Sequence, residues 1–384
     1  MERFKVTDEI HFAFEVTPCV AILGPRQCGK TTEAREYARL QHDMAPQNYF
    51  DLENARDIER LRDPLLTLSQ LNGLIVIDEI QLHPNLFQTL RVLIDDKSRK
   101  QRYLILGSAS RELIRQTSES LAGRISYIEM GPFSYMETGE QNQTWIRGGF
   151  PLSYLAKNEE ISFAWRRAYI KTYLEQDIPN LGIQIAPENL RRFWMMLAQS
   201  QGSVFNASDI GRSLGLTHKT IQHYADILTG TFMVRQLKPW YENISKRQVK
   251  SPKIYIRDTG IFHTLLDIKN HAELLVNQKI GASWESFVLE QMIRFHSALS
   301  EDCYFWASHQ GAELDLLIIK GGKRLGFEVK FNSSPRLTKS MQVVMENLSL
   351  NQLHVIYPGN VDYPLTKDIS VFGFENYFKS IEAK

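Results

Sequence analysis

Val20 to Thr32 reads VAILGPRQCGKTT. The stretch opens with apolar, strand-forming residues and then fits G-x-x-x-x-G-K-[ST] at Gly24, Gly29, Lys30 and Thr31. The spacing has a physical cause. A buried strand delivers a tight glycine turn, and the turn opens a helix whose free N–H groups face an anion. Gly24 and Gly29 allow backbone geometry and close approach that a side chain would block. Gly24, Pro25, Arg26, Gln27, Cys28, Gly29, Lys30, Thr31 and Thr32 therefore form an expected nucleotide-binding loop, followed by a helix over 33–40. Lys30 would neutralise the β- and γ-phosphates of ATP, and Thr31 would offer its hydroxyl to Mg²⁺. A strand-turn-helix corner that binds nothing is the alternative, and the intact flanking elements weigh against it. Cys28, at the start of the helix, is either a reactive thiol or a buried, inert one.

Leu74 to Gln81, LIVIDEIQ, is a continuous apolar run ending in two acids. Such a run fits a parallel strand buried on both faces. At its carboxyl end Asp78 is placed to hold the Mg²⁺ shell and Glu79 to polarise an attacking water. A third strand, 103–107, ends in Ser108, a group suited to sensing the γ-phosphate. The competing reading of the two acids is a solvated loop. Strands over 48–52 and 125–129 complete an α/β unit of alternating strands and helices. Arg124, just before the last of these, either reaches a γ-phosphate in its own or a neighbouring subunit or is a surface arginine.

The 384 residues suffice for two or three domains with cores of their own. A net charge of +1 gives no global preference for nucleic acid, so any such site must be local. Three scattered cysteines exclude a disulfide framework or a zinc site and fit a reducing compartment. The first residues lack the apolar core of a signal peptide, and no apolar run approaches a bilayer's thickness. A cytoplasmic protein with no membrane partner is expected.

From about 145 to 201 the pattern turns helical, a candidate lid over the nucleotide. Asn206 then caps a helix over 207–214, Gly215 ends it, and Thr217 caps the next, whose Ile221, Tyr224, Ala225 and Leu228 fall on one face. Lys219, Gln222 and His223 face outward. Strand-like 233–237 and 254–256 follow, the order of a winged helix. Arg235, Lys238, Lys246, Arg247, Lys250 and Lys253 stand here against one acid, Glu242. They would either grip a DNA backbone or decorate a wing used for protein contacts.

In the last segment, 313–319 and 325–331 are strand-like and joined through Lys320-Gly321-Gly322-Lys323. Gly-Gly between apolar runs signals a two-residue hairpin. The register then sets Lys320 against Lys323, Asp315 against Glu328, and Glu313 against Lys330. Directly opposed carboxylates need a cation, and a second divalent metal beside Lys330 would supply it. Glu285, on a helix face shared with Val288, Leu289 and Met292, points inward toward the same need. The alternative is a salt-bridged hairpin with solvated acids.

The chain resembles the prokaryotic AAA-like ATPases of the archaeal-ATPase type that carry a C-terminal domain of unknown function. The residues behind the resemblance are GPRQCGKTT (24–32), LIVIDEIQ (74–81), LGSAS (106–110), LAGR (121–124), GGFP (148–151), KIYIRDTG (253–260), GAELD (311–315) and FEVK (327–330). The resemblance implies a P-loop ATPase core, a winged-helix segment and a restriction-endonuclease-like α/β domain, with the catalytic glutamate at Glu79. Asp315, Glu328 and Lys330 match the PD-(D/E)XK nuclease motif, with Leu314 in place of its proline and Glu285 as the helix acid. Gln176 departs from the arginine that relatives often carry there. The expected division is a P-loop domain at 1–140, a helical connector at 141–203, a winged-helix-like unit at 204–268 and a nuclease-like domain at 269–384. Two functions stay open: an ATPase acting on nucleic acid with a metal-dependent nuclease domain, or an ATP-dependent switch or assembly protein whose C-terminal fold only binds a partner. Either is compatible with an oligomer.

Overall fold

The structure, a computed structural model, describes residues 3–41, 45–109, 121–241, 250–308 and 311–382. Ser110, Glu242, Lys246 and Arg247 lie outside them.

Five strands build the first sheet: β1 (Cys19–Leu23), β2 (Tyr49–Asp51), β3 (Leu74–Asp78), β4 (Arg102–Gly107) and β5 (Ile125–Glu129). They run parallel in the order β2-β3-β4-β1-β5. The apolar runs are continuous because both faces are covered. Val20 and Ile22 pack with Ala34, Tyr37 and Ala38 of the Lys30–Gln41 helix. Cys19, Ala21 and Leu23 face the other layer, with Leu90 and Leu93 of the Leu86–Asp95 helix. Gly24, Asp78, Ser108 and Met130 thus gather at one edge, where β1 meets β4 on one side and β5 on the other. That edge is where open α/β sheets take their ligands.

The helical stretch after residue 140 forms, with the two capped helices, one core around Phe193, Trp194, Leu197, Ile221, Leu228 and Phe262. Asn206 caps the Ala207–Leu214 helix through Asp209 N, Gly215 ends it at φ +68°, and Thr217 caps the His218–Gly230 helix. Ile221, Tyr224, Ala225 and Leu228 are buried, whereas Lys219 and His223 are exposed. Two of the motif stretches form a backbone joint. A Cβ on Gly149 would lie 2.0 Å from Phe133 O, and one on Gly260 would lie 2.1 Å from Arg147 O. Asp258 closes the joint by accepting from Gly149 N at 2.8 Å and from Ile261 N at 2.9 Å.

The second sheet holds β6 (Val234–Pro239), β7 (Lys253–Ile256), β8 (Cys303–Ala307), β9 (Glu313–Lys320), β10 (Lys323–Val329), β11 (Gln352–Tyr357), β12 (Tyr363–Pro364) and β13 (Ile369–Gly373). Its order is β12-β13-β11-β10-β9-β8-β6-β7. The β6–β7 hairpin does not end a separate unit. Lys238 and Pro239 of β6 pair in parallel with Tyr304 and Phe305 of β8, so the sheet runs through the expected boundary at residue 268. The pairing covers backbone groups that an isolated wing would leave open at its edge. The Gly-Gly hairpin has the expected register, with Lys320 opposite Lys323 and Leu316 opposite Phe327. Gly321 and Gly322 stand at φ +57° and +75°, the left-handed pair that a tight hairpin turn requires. Among the described residues, no helix is long and apolar enough to cross a membrane.

Candidate nucleotide site and the C-terminal acid cluster

At the phosphate loop, Gly24 has no room for a side chain, since a Cβ would lie 1.9 Å from Met130 O. Gly29 sits at φ +101°, and its successor Lys30 begins the helix. The Lys30 ammonium is buried and folded back over the loop. It donates to Gly24 O at 3.0 Å, Pro25 O at 2.9 Å and Ser108 Oγ at 3.2 Å. Cys28 is fully buried, with its thiol on Met130 O. Gln27 and Thr32 are exposed beside the loop.

Thr31 and Asp78 come together: Thr31 Oγ1 donates to Asp78 Oδ2 at 2.7 Å. Tyr49 donates to the same oxygen at 2.8 Å, a neighbour that the sequence reading missed. Hydroxyl and carboxylate side by side at a helix start fit a Mg²⁺ bound with nucleotide. Glu79 follows in the left-handed region, φ +56°, which turns its carboxylate from the strand line toward Ser108. Ser108 Oγ donates to its Oε2 at 3.0 Å, and Gln81 Nε2 donates to the same oxygen. Gln81 also accepts from Ser108 N at 3.2 Å, so Gln81 and Ser108 hold Glu79 between them.

Arg26 has partners well outside the loop. It leaves the loop to donate to Asp177 at 2.7 Å and to Glu53 at 2.6 Å, while Tyr169 OH donates to its carbonyl at 3.3 Å. Asp177 ends a π-helical turn, Tyr173–Asp177, an irregularity that often marks function. Burial pushes the Asp177 carboxyl above its ordinary range, and Arg26 opposes that shift. Glu53 and Asp177 had no signal in the sequence beyond being acids near helical segments.

Arg124 does not join this site. The register sets Ile125 beside Cys19, so Arg124 stands at the end of the sheet opposite its own phosphate loop. There it is half-exposed and pairs with Asp95 at 2.5 Å. A γ-phosphate role within its own subunit is corrected on that ground.

The C-terminal acids do gather. Asp315 and Glu328 are both buried, one step beyond the last ladder pair, and Asp315 Oδ2 accepts from Val329 N at 2.8 Å. Glu285 joins them from the Ile280–Phe295 helix. Burial first, and Asp315 second, push the Glu285 carboxyl up to about 7 and the Glu328 carboxyl up to about 8. Lys330 pairs with Glu328 at 2.6 Å. The unexpected member is Lys253. Its ammonium, 6% exposed, pairs with Glu313 and lies 3.8 Å from Glu285. Burial alone would depress it, but Glu285, Asp315 and Glu313 hold its pKa above the ordinary value. Among the described residues, no group of three or more His, Cys, Asp or Glu is arranged to hold a metal ion. The second-metal expectation at Glu285, Asp315 and Glu328 is not supported by this arrangement, in which Lys253 and Lys330 already face the acids. Lys253 is also withdrawn from the expected basic wing. So is Arg235, which is buried against Glu290, whereas Lys238 and Lys250 remain exposed.

Three family models match the chain: an AAA domain over residues 16–139, a domain of unknown function (DUF8612) over 138–272, and a domain of unknown function (DUF4143) over 280–377. Uncharacterized protein Rv2008c of Mycobacterium tuberculosis is 44% identical over 371 residues, which span 96% of this chain and 83% of the relative. Uncharacterized protein Mb2031c of Mycobacterium bovis matches to the same extent. Among solved structures, a Walker-type ATPase of Pyrococcus abyssi is similar at 13% identity and a TM-score of 0.45, over 69% of this chain and 95% of that one. The chain belongs to the family of the two mycobacterial proteins, and its AAA domain makes it an AAA-like P-loop ATPase that carries a C-terminal domain of unknown function.

Proposed function

We propose that the chain is an ATP-driven switch, in which nucleotide at the phosphate loop resets the contact between that loop and the helical connector, and the second sheet engages a partner. Arg26 carries the reading. A side chain from the middle of the loop is clasped by Asp177 of the connector and Glu53 after β2. A triphosphate entering the loop competes for the same guanidinium, since phosphate and carboxylate accept the same paired donors.

The hydrolytic step follows from the same side chains. Lys30 exchanges its two loop carbonyls for the β- and γ-phosphates. Thr31 and Asp78 would hold Mg²⁺, which supplies further neutralisation between the phosphates when bound. Glu79, released from Ser108 and Gln81, orients a water toward the γ-phosphorus and takes its proton as the bond to ADP breaks. Ser108, freed at the same moment, donates to the γ-phosphate. Arg124 would enter such a site only from a neighbouring copy.

The test is hydrogen exchange across 173–181 in the Glu79→Gln protein with and without ATP. ATP is expected to speed exchange there, and Arg26→Ala is expected to speed it without ATP. Exchange unchanged in both would remove the switch. A second reading, action on nucleic acid, is supported by exposed Lys219, His223, Lys238 and Lys250 around the capped helix and the hairpin. It requires an ATPase rate that rises with duplex DNA and loses the rise with added salt.

A further inference from the structure

A divalent ion at the C-terminal acids needs several oxygens free to close around it at about 2.0–2.6 Å. Each carboxylate of this cluster already has one oxygen engaged. Lys253 enters from β7, a strand of the connector side, with its ammonium against Glu313 Oε1 and 3.8 Å from Glu285 Oε1. Tyr255, two residues along the same strand and so on the same face, donates to that same Glu285 oxygen at 2.6 Å. The turn at Gly202 packs close to that same oxygen, where a Cβ would lie 3.2 Å from Oε1. Lys330 occupies Glu328, and Val329 N occupies one oxygen of Asp315.

Lys253 has little freedom to leave. Its backbone pairs with Leu237 on one side and bridges to Val204 on the other, and its ammonium lies 5.5 Å from the Phe305 ring centroid. A compact ammonium on a fixed strand is a point charge, satisfied by two or three oxygens at hydrogen-bond distance.

We infer that Lys253 is the resident cation of the C-terminal acid cluster: it closes the site that the nuclease-like motif would offer to a divalent metal, and uses those acids to fasten β7, the end strand of the second sheet, to β9 and the Ile280–Phe295 helix. The cluster is then a clasp at one end of the second sheet, and the full chain takes up no divalent ion there. Neither statement depends on the ATPase reading, because the test is made without nucleotide.

The test is Mn²⁺ titration of the full-length, nucleotide-free protein, read by loss of the free-ion electron paramagnetic resonance signal and by melting temperature. Wild type and Asp315→Asn are expected to bind Mn²⁺ identically, since neither has a C-terminal site. Lys253→Met, which keeps length but removes charge, is expected to melt lower, gain one Mn²⁺ site per chain, and regain melting temperature as Mn²⁺ is added. The added Asp315→Asn change should abolish that gain, and Lys253→Arg should show none. Asp315-dependent Mn²⁺ binding in wild type overturns the inference. So does a folded Lys253→Met protein that gains no site. If Lys253→Met does not fold, the wild-type and Asp315→Asn pair still decides it.

Discussion

Lys30 and Glu79 both sit at the nucleotide edge, yet they act at different moments of the reaction. The Lys30 ammonium is already held by two carbonyls and Ser108, in the posture it needs to receive phosphate oxygens. Lys30→Ala removes charged hydrogen bonds made to bound nucleotide, and ATP should bind about ten- to a hundredfold more weakly. Glu79→Gln keeps the shape but cannot take a proton. Its turnover should fall about 10²–10⁴-fold with little change in ATP affinity. Equilibrium binding of a fluorescent ATP analogue, alongside steady-state hydrolysis, separates the two; equal loss of binding in both variants removes the role assigned to Glu79. These residues were legible because their chemistry is local: a loop of nine residues and a strand ending in two acids carry it. The Arg26–Asp177 pair was not legible, because its partners are 151 residues apart and a charge does not name its partner. Lys253 did leave a signal. It stands in KIYI, a strand buried at every position, where an ammonium must have an acid opposite it.

At the scale of elements, the first sheet, strands β6, β7, β9 and β10 and the Gly-Gly turn followed from apolar runs and hairpin chemistry, while β8, β11, β12, β13 and the β6–β8 pairing did not. Parallel pairing between strands some 65 residues apart has no turn to announce it. Helix joints are equally silent in sequence, and His263 is one. From the Thr259–Leu265 helix its Nδ1 meets Ile146 O at 3.0 Å and its Nε2 meets Ser283 Oγ at 2.7 Å. A carbonyl only accepts, so Nδ1 carries the proton and Nε2 accepts from the serine. Trp145 Nε1 donates to that serine at 2.9 Å, which completes a neutral network across three helices. Burial, and to a lesser degree nearby Arg166, push His263 from its ordinary 6.5 down to about 3. The folded state therefore binds fewer protons than the unfolded one between those values. The contribution is fully present above pH 6.5 and lost as pH falls toward 3. Melting temperature should drop across that window, and His263→Gln should flatten the slope there while lowering stability at neutral pH. Equal slopes in the two proteins would show that acid unfolding runs through other groups.

Across the whole molecule, one ion network, buried at Glu290 and exposed at Glu129, runs from the end of β5 to the C-terminal domain. Glu290 of the Ile280–Phe295 helix is 1% exposed and takes both Arg235 of β6 and Arg257 just after β7. Burial would raise its pKa, but the two arginines overcome that and hold it down to about 2. Arg257 reaches on to Glu129, the last residue of β5, at 2.6 Å. The next residue, Met130, receives the Cys28 thiol and closes over Gly24. A chain of charges therefore runs from the end of β5, beside the residue that touches the phosphate loop, to the helix that also carries Glu285. Glu290→Gln leaves two buried guanidinium groups short of an anion, a loss of about 3–5 kcal/mol. Arg257→Met is different: Glu290 keeps Arg235, so the fold should survive, but the link from Glu129 is cut. In that variant ATP should still be hydrolysed, while nucleotide-dependent protection in the Ile280–Phe295 helix, read by hydrogen exchange, should disappear. Protection that persists in Arg257→Met would mean that the two ends of the molecule communicate through the Gly149–Phe133 backbone joint instead, and the ion network would then be a structural tie alone.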